Sequence, residues 1–416
     1  MVKRIFAIAF IFACTSVAWF VLGVTINTRT DSSDNRLRGS VQSIWGTAQA
    51  QLAPFAEYEV PVPYYETVTQ DGRQQIVKKT RFDTFQILPA SSDIGVDLAL
   101  EHRQKGLLWY STYKVDFEGD YEFHNGDAEP RSVRLSLVFP AAKAVYDNLQ
   151  LVVDGQPATP ITENQKAYVK MNLGAGQTVK LRVAYRSQGL ESWKYIFGQN
   201  VIPVQNFRLR MNTNFKDIDF PENTLAPGEK RETPNGWQLI WNYRNLVSGY
   251  EIAMSMPEKL QPGPLASEIS YFAPVSLFFF FFLIFIITTM RGIDLHPMNY
   301  FFLAGAFFAF HLLLAYLADH LDIHVSFVIS SVVSVFLVVT YLRLVVGTQF
   351  AVREAALAQT VYLVLFSYAF FFKGLTGLSV TIGSILTLFA VMQMTGRIRW
   401  SEKFSGAAIP PRLPSF

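Results

Sequence analysis

Between Ser270 and Met394 the chain is built largely of apolar runs separated by short polar breaks, and this limits what it can fold into. One run extends from Ser270 to Met290 and contains five consecutive phenylalanines, Phe278 to Phe282. Others extend from Met298 to Ala318, Val325 to Val346, Ala355 to Phe372 and Leu378 to Met394. Each is close to the roughly 17–25 residues that carry a helix across a bilayer's hydrocarbon core. Helices are expected because a backbone in lipid has no water to bond to and must bond to itself. A further run, Ile5 to Val24, follows Met1-Val-Lys-Arg4. It exceeds the roughly 7–15-residue core of a secretory signal, and no small-x-small cleavage site closes it, so a retained anchor is expected. The single cysteine, Cys14, lies inside that run. Phe12 is bulky where lipoprotein processing wants a small residue, so Cys14 reads as a lipid-embedded thiol. One cysteine also rules out an internal disulfide framework.

Charge is segregated. Of 36 Lys and Arg, 26 lie between Arg29 and Lys259, and 28 of 33 Asp and Glu lie between Asp31 and Glu268. That segment is nearly neutral, so the net charge of +3 comes from residues flanking the apolar runs and gives no argument for nucleic acid. With a cytoplasmic N-terminus, six spans put Lys3, Arg4, Arg291, Arg343, Arg353, Arg397, Arg399, Lys403 and Arg412 on or near the cytoplasmic side. Lys373 is the one basic residue in a short loop on the other side. This bias predicts that both termini are cytoplasmic and that residues 27–268 are exported, to the periplasm in a bacterium.

The exported segment alternates apolar and polar residues in short runs, such as Tyr58 to Tyr64, Tyr113 to Phe117, Val133 to Phe139, Ala167 to Leu173 and Val179 to Tyr185. The pattern continues in Phe207 to Met211, Trp237 to Tyr243 and Tyr250 to Met256. A period of two predicts sheets with one buried face. Asp71-Gly72, Asn125-Gly126, Asp154-Gly155 and Asn235-Gly236 supply turn chemistry, and Gly174-Ala-Gly176 reads as a turn between strands. A short amphipathic helix near Arg36 to Leu52, with Val41, Ile44, Trp45 and Ala48 on one face, is expected to link the anchor to the sheets.

The predicted architecture is an integral membrane α-helical bundle of six transmembrane helices, with a large exported antiparallel β-sandwich-like domain inserted between the first and second. Its parts are an anchor at 1–26, the β-rich domain at 27–268, five helices at 269–396 and a cytoplasmic tail at 397–416. The β segment is long for one sandwich, which leaves a second lobe open.

Few residues invite chemistry. His311 falls in mid-span, where an ionisable group is costly unless it faces other helices or water; a hydrogen bond between helices is the plain reading and a proton or ligand role the alternative. Asp319, His320, Asp322 and His324 share one six-residue stretch, but their spacing fits no standard metal site, and solvation at a helix end explains them. His296-Pro297-Met298 suits a helix start. Ser330, Ser331 and Ser334 give the fourth span a small-residue face. In the exported part His102 and His124 are far apart in sequence and no nucleophile elbow or zinc-binding helix is present. Glu191-Ser-Trp193-Lys-Tyr195 reads either as core aromatics or as a ligand platform. No cofactor is expected.

The bundle also resembles a known family. Leu295-His-Pro-Met-Asn-Tyr300 is similar to the Leu-His-Pro-Met-Gln-Tyr motif of the CreD inner-membrane proteins, and Asp319-His320 to their acidic-residue-His pair. Thr395-Gly-Arg397-Ile-Arg-Trp400 resembles their Thr-Arg-x-Ile-Asp-Trp ending, and Arg103-Gln-Lys-Gly106-Leu is more loosely similar to an exported stretch. The resemblance covers about Arg291 to Trp400. It makes Leu295, His296, Pro297, Met298, Tyr300, Asp319, His320 and Trp400 the family-motif candidates. Three acidic positions depart from the family pattern: Thr288, Arg399, and the loop Lys373-Gly-Leu-Thr-Gly377. The resemblance implies a role in envelope integrity or stress tolerance, without an established reaction. The expected partners are the lipid bilayer and an envelope protein bound by the β domain; a transporter or a membrane-embedded enzyme is the alternative.

Overall fold

The computed structural model describes residues 2–70, 73–105, 108–198, 200–372 and 374–396. The Asp71-Gly72 turn, Gly106, Lys373, Trp400 and the 397–416 tail lie outside the described residues. The chain divides into two compact units, one formed by residues 1–35 and 260–416 and the other by residues 36–259.

Six helices among the described residues are long and apolar enough to cross a membrane. They are α1 (Val2–Trp45), α2 (Pro262–Arg291), α3 (Pro297–Leu317), α4 (Ile323–Val345), α5 (Thr348–Phe371) and α6 (Thr376–Thr395). Leu277, Phe280, Ile284, Leu303, Phe307, Phe310, Val338 and Leu342 form the centre of the first unit, all fully buried. Other large apolar side chains, Phe301, Phe336 and Phe389 among them, point outward, as a lipid-facing surface requires. α5 is irregular: π-helical turns occupy Ala351–Ala355 and Thr360–Leu365, and a 3₁₀ turn closes it at Ala369–Phe371.

Two boundaries differ from expectation. α1 does not stop where its apolar run stops; nothing between Val24 and Gly39 breaks a helix, and it continues to Trp45, where Gly46 ends it in the left-handed conformation at φ +85°. The separate helix expected over Arg36 to Leu52 is therefore the end of α1 followed by a strand, Gln49–Leu52. Its buried face also differs, with Leu37 and Val41 packing on Leu108, Tyr110 and Leu190 while Ile44 is exposed. The β unit itself is narrower than 27–268. Residues on both of its flanks pack with the helices: Arg29 reaches α3, and the Ser267 hydroxyl donates to Gly23 O at 3.0 Å.

Among the described residues the second unit holds three sheets. One orders Gln49–Leu52, Ser192–Ile196 and Ile252–Ser255. A five-stranded sheet orders Arg73–Ile87, Phe55–Gln70, Arg131–Val138, Lys166–Leu173 and Ile161–Glu163. An eight-stranded sheet orders Glu229–Glu232, Trp237–Ser248, Ile202–Thr213, Ser91–Lys105, Leu108–His124, Thr178–Leu190, Tyr146–Val153 and Gln156–Ala158. Pairing is antiparallel except at Gln49–Leu52 with Ser192–Ile196 and at Ile202–Thr213 with Ser91–Lys105. Both exceptions join strands far apart in sequence, which leaves the chain free to return in either direction. Leu135, Ile94, Phe117, Val183, Trp193, Leu209, Trp241 and Met254 share one hydrophobic core drawn from all three sheets, and residues 36–259 form one compact unit.

Turn chemistry is realised unevenly. Asp154-Gly155 forms a two-residue turn with both φ positive, as a hairpin's twist favours. Asn125 instead opens a longer loop, and its buried amide donates to the carbonyls of Glu129, Leu173 and Gly174.

One hairpin stands apart. Phe55–Gln70 and Arg73–Ile87 pair along their whole length, from Ala56 with Ile87 to Gln70 with Arg73. The next strand, Arg131–Val138, pairs only with Phe55, Ala56 and Glu57. Beyond Glu57 the ribbon has no third strand among the described residues. Pro61 and Pro63 remove N–H donors from it, and Lys78, Lys79 and Arg81 charge its other strand, both of which discourage further edge pairing. It nonetheless exposes large apolar side chains: Tyr65 is 71% exposed, Ile76 74% and Phe82 63%.

Candidate functional site

The motif residues sit at the two ends of α3. At its start His296 is extended (φ −63°, ψ 145°), Pro297 occupies the first turn, and the Met298 N–H donates to His296 Nδ1 at 3.2 Å. Proline loses nothing there, because the first-turn N–H groups have no helical partner, and the imidazole accepts from one that remains. Leu295 and Tyr300 are fully buried, with the Tyr300 ring edge-on to Phe281 of α2 at 5.2 Å. Met298 is half exposed. One residue inward, Tyr341 of α4 donates to Asn299 Oδ1 at 2.7 Å. The motif thus combines a helix cap with two apolar anchors.

At the other end the four clustered polar residues go to separate tasks. The Asp319 carboxylate is gripped by Arg29 of α1, with Nη1–Oδ2 at 2.8 Å and Nη2–Oδ1 at 3.0 Å. Arg29 also donates to Ala315 O at 3.1 Å and lies 5.4 Å over the Tyr316 ring. A planar guanidinium matches a carboxylate in this two-point fashion, so the pair fixes α1 against the end of α3. Asp322 instead caps α4, accepting from the N–H of His324 at 2.9 Å. The His324 ring packs on Phe371 at 4.9 Å, and His320 is exposed in the turn after α3.

His311 is fully buried between Trp19 of α1, edge-on at 5.8 Å, and Phe310 at 4.9 Å. The expected bond between helices does not form. Nδ1 lies 3.0 Å from the Phe307 carbonyl of its own helix, and Nε2 has no partner. A carbonyl accepts only, so Nδ1 carries the proton and Nε2 presents a bare lone pair.

A buried side-chain link between helices forms instead at Ser334, marked in the sequence only as part of a small-residue face, and at Gln359, which the sequence reading missed. Gln359 of α5, fully buried, donates from Nε2 to Ser334 Oγ of α4 at 2.8 Å, and Ser334 donates to Ala306 O of α3 at 2.6 Å. Gln359 Oε1 has no partner. The available signal was Gln359 itself, the one amide side chain in the fifth apolar run. Ser330 and Ser331 bond back to Ser326 O and Phe327 O in α4, so of the small-residue face only Ser334 reaches across. Thr288, at a departure from the family pattern, also bonds back, to Ile284 O at 2.8 Å.

In the β unit Trp193 and Tyr195 are core residues, 0% and 1% exposed, so Glu191 to Tyr195 presents no aromatic platform. His102 bonds to Pro257 O at 2.9 Å and His124 to Thr178 Oγ1 at 3.1 Å. Glu101 is held below the usual carboxylate range by hydrogen bonds from Lys114 and then Arg103, a surface network of opposite charges.

No protein of curated function matches the chain by sequence. Likeness to solved structures is distant. A crystal structure of a putative nutrient binding protein from Legionella pneumophila is 10% identical, with TM-score 0.30, over 55% of this chain and 76% of that one. An M1 zinc metallopeptidase from Deinococcus radiodurans is 14% identical, with TM-score 0.27, over 41% of this chain and 42% of that one. The family described as "Inner membrane protein CreD" matches residues 1–276 and 267–401, and with six membrane-length helices among the described residues and a β unit inserted in sequence after the first, the chain belongs to this CreD family, as a multi-pass protein of the inner membrane.

Proposed function

We propose that this protein is a non-enzymatic inner-membrane component with a role in envelope integrity, and that its β unit binds an envelope protein in the periplasm. The observation that carries the reading is the hairpin of residues 58–70 and 73–85. It holds Tyr65, Ile76 and Phe82 in solvent with no third strand beside it among the described residues. Exposed aromatic and apolar groups characterise protein-binding surfaces. The excess of Lys and Arg near Arg4, Arg291, Arg343 and Arg353 supports cytoplasmic termini and an exported β unit. Three-way packing of α3, α4 and α5 through Ala306, Ser334 and Gln359 supports a rigid anchoring role for the bundle.

The test is photocrosslinking in whole cells, with a benzophenone amino acid placed at Tyr65, at Ile76, or at Val247, which is equally exposed on another strand. A discrete adduct from the first two positions and not from Val247 is expected. Loss of that adduct specificity, or no adduct at either ribbon position, rejects the reading.

A further inference from the structure

We infer that α1 and α2 form a binding site for an anionic phospholipid, with one acyl chain in a furrow between the helices and the headgroup phosphate at Arg4. The furrow has a volume of about 340 Å³ and is walled by Ile5, Ile8 and Phe12 of α1 and Phe278, Phe282 and Phe285 of α2. Every wall is apolar. The helices run in opposite directions along it, so Arg4 meets Phe285 at one end, with its guanidinium 5.6 Å over the ring, and Phe12 meets Phe278 at the other, at 6.2 Å. From Ile5 to Phe12 and from Phe278 to Phe285 each helix rises roughly 10 Å at 1.5 Å per residue, a stretch that a lipid tail lying along the helices fills. A soluble polar ligand has nothing to bond to in it.

Arg4 supplies the specificity. Its side chain is 17% exposed, and among the described residues its ion pair is a 3.4 Å contact with Asp294, whose own side chain is 97% exposed. Such a pair neutralises little charge. Nε and Nη2 lie buried without a hydrogen-bond partner, and the Tyr300 hydroxyl lies beside the guanidinium. Of the other charges at this end, Arg291 is engaged by Glu354, and Lys3 is exposed and adds to the positive balance. A guanidinium that is fixed, under-partnered and set at the mouth of an apolar furrow matches a phosphate whose tail enters that furrow. A zwitterionic headgroup brings an ammonium to the same place and is disfavoured.

The full chain is reconstituted in nanodiscs of mixed phosphatidylcholine and phosphatidylglycerol, released into mild detergent, and analysed by native mass spectrometry for retained lipid. Retention of phosphatidylglycerol over phosphatidylcholine by about fivefold is expected, the discrimination one basic residue contributes at an anionic surface. Arg4→Gln is expected to abolish the preference, and Lys3→Gln to preserve it. Ala9→Phe, which fills the furrow and leaves Arg4 in place, is expected to abolish retention itself, so the site is tested even where Arg4→Gln fails to insert. Equal retention of both lipids, an unchanged preference in Arg4→Gln, or the same loss in Lys3→Gln overturns the inference. So does retention of a second copy of the chain in place of lipid.

Discussion

Ser334→Ala is the most discriminating single change in the bundle. It removes the acceptor for Gln359 Nε2, and since Gln359 Oε1 is already without a partner, the amide then makes no hydrogen bond at all in a fully buried position. An unpaired buried polar group costs roughly 1–3 kcal/mol. Side-chain bonds between membrane helices average about 0.6 kcal/mol and reach about 1.7, because the unfolded chain in lipid also finds partners. Together these put the cost of Ser334→Ala at about 1.5 kcal/mol. In a Gln359→Leu background the same change loses only the donation to Ala306 O, and that carbonyl still faces its own helix's N–H, so about 0.5 kcal/mol is expected. Gln359→Leu alone is expected to be near neutral, since it removes both the satisfied donor and the unsatisfied acceptor at similar volume. The four proteins form a double-mutant cycle with a coupling of about 1 kcal/mol, a fivefold difference in unfolding constant, readable by reversible unfolding of the purified chain in mild detergent. Equal costs of Ser334→Ala in both backgrounds would refute the reasoning. So would a large penalty for Gln359→Leu alone, because Oε1 would then have to be bonded.

Two further outcomes concern the β unit. A Cβ at Gly189 would fall 2.4 Å from Tyr113 Oη and 3.0 Å from Thr47 O, and Tyr113 is held by its bond to Ser192 O, so Gly189→Ala is expected to cost about 2–3 kcal/mol in thermal unfolding; wild-type stability would sink the packing argument. Asp120 faces Asp93 directly across two strands, and partial burial followed by that like charge holds its carboxyl above the usual range. The folded state therefore binds the proton more tightly than the unfolded one, and Asp120 destabilises at neutral pH, a penalty relieved as pH falls through the carboxylate range. Asp120→Asn is accordingly expected to stabilise by a few tenths of a kcal/mol at pH 7, a figure kept small by the group's exposure, with the gain vanishing in acid. A gain independent of pH would point to another cause.

The family motif illustrates how far residue types alone can be read. Pro297 after a polar residue marks a helix start on local grounds, because first-turn N–H groups lack partners wherever the helix lies. Asp319 and Asp322 look alike in sequence, yet one binds Arg29, 290 positions earlier, and the other caps its own helix. The difference lies in which helix packs beside each, and sequence spacing does not record that.

The same division runs through the whole chain. The six spans, the segregation of charge and most of the strands follow from the sequence itself, since they rest on hydrophobic length and periodicity, properties of a segment against its solvent. The end of α1, the parallel strand pairs, the merging of three sheets on one core and the Ala306–Ser334–Gln359 link were decided only by tertiary structure. Gln49–Leu52 becomes a strand because Ser192–Ile196 offers it an edge, and Gln359 becomes a cross-link because Ser334 stands opposite. Each depends on the energy of a pair of groups brought together by folding, and no single segment carries that information.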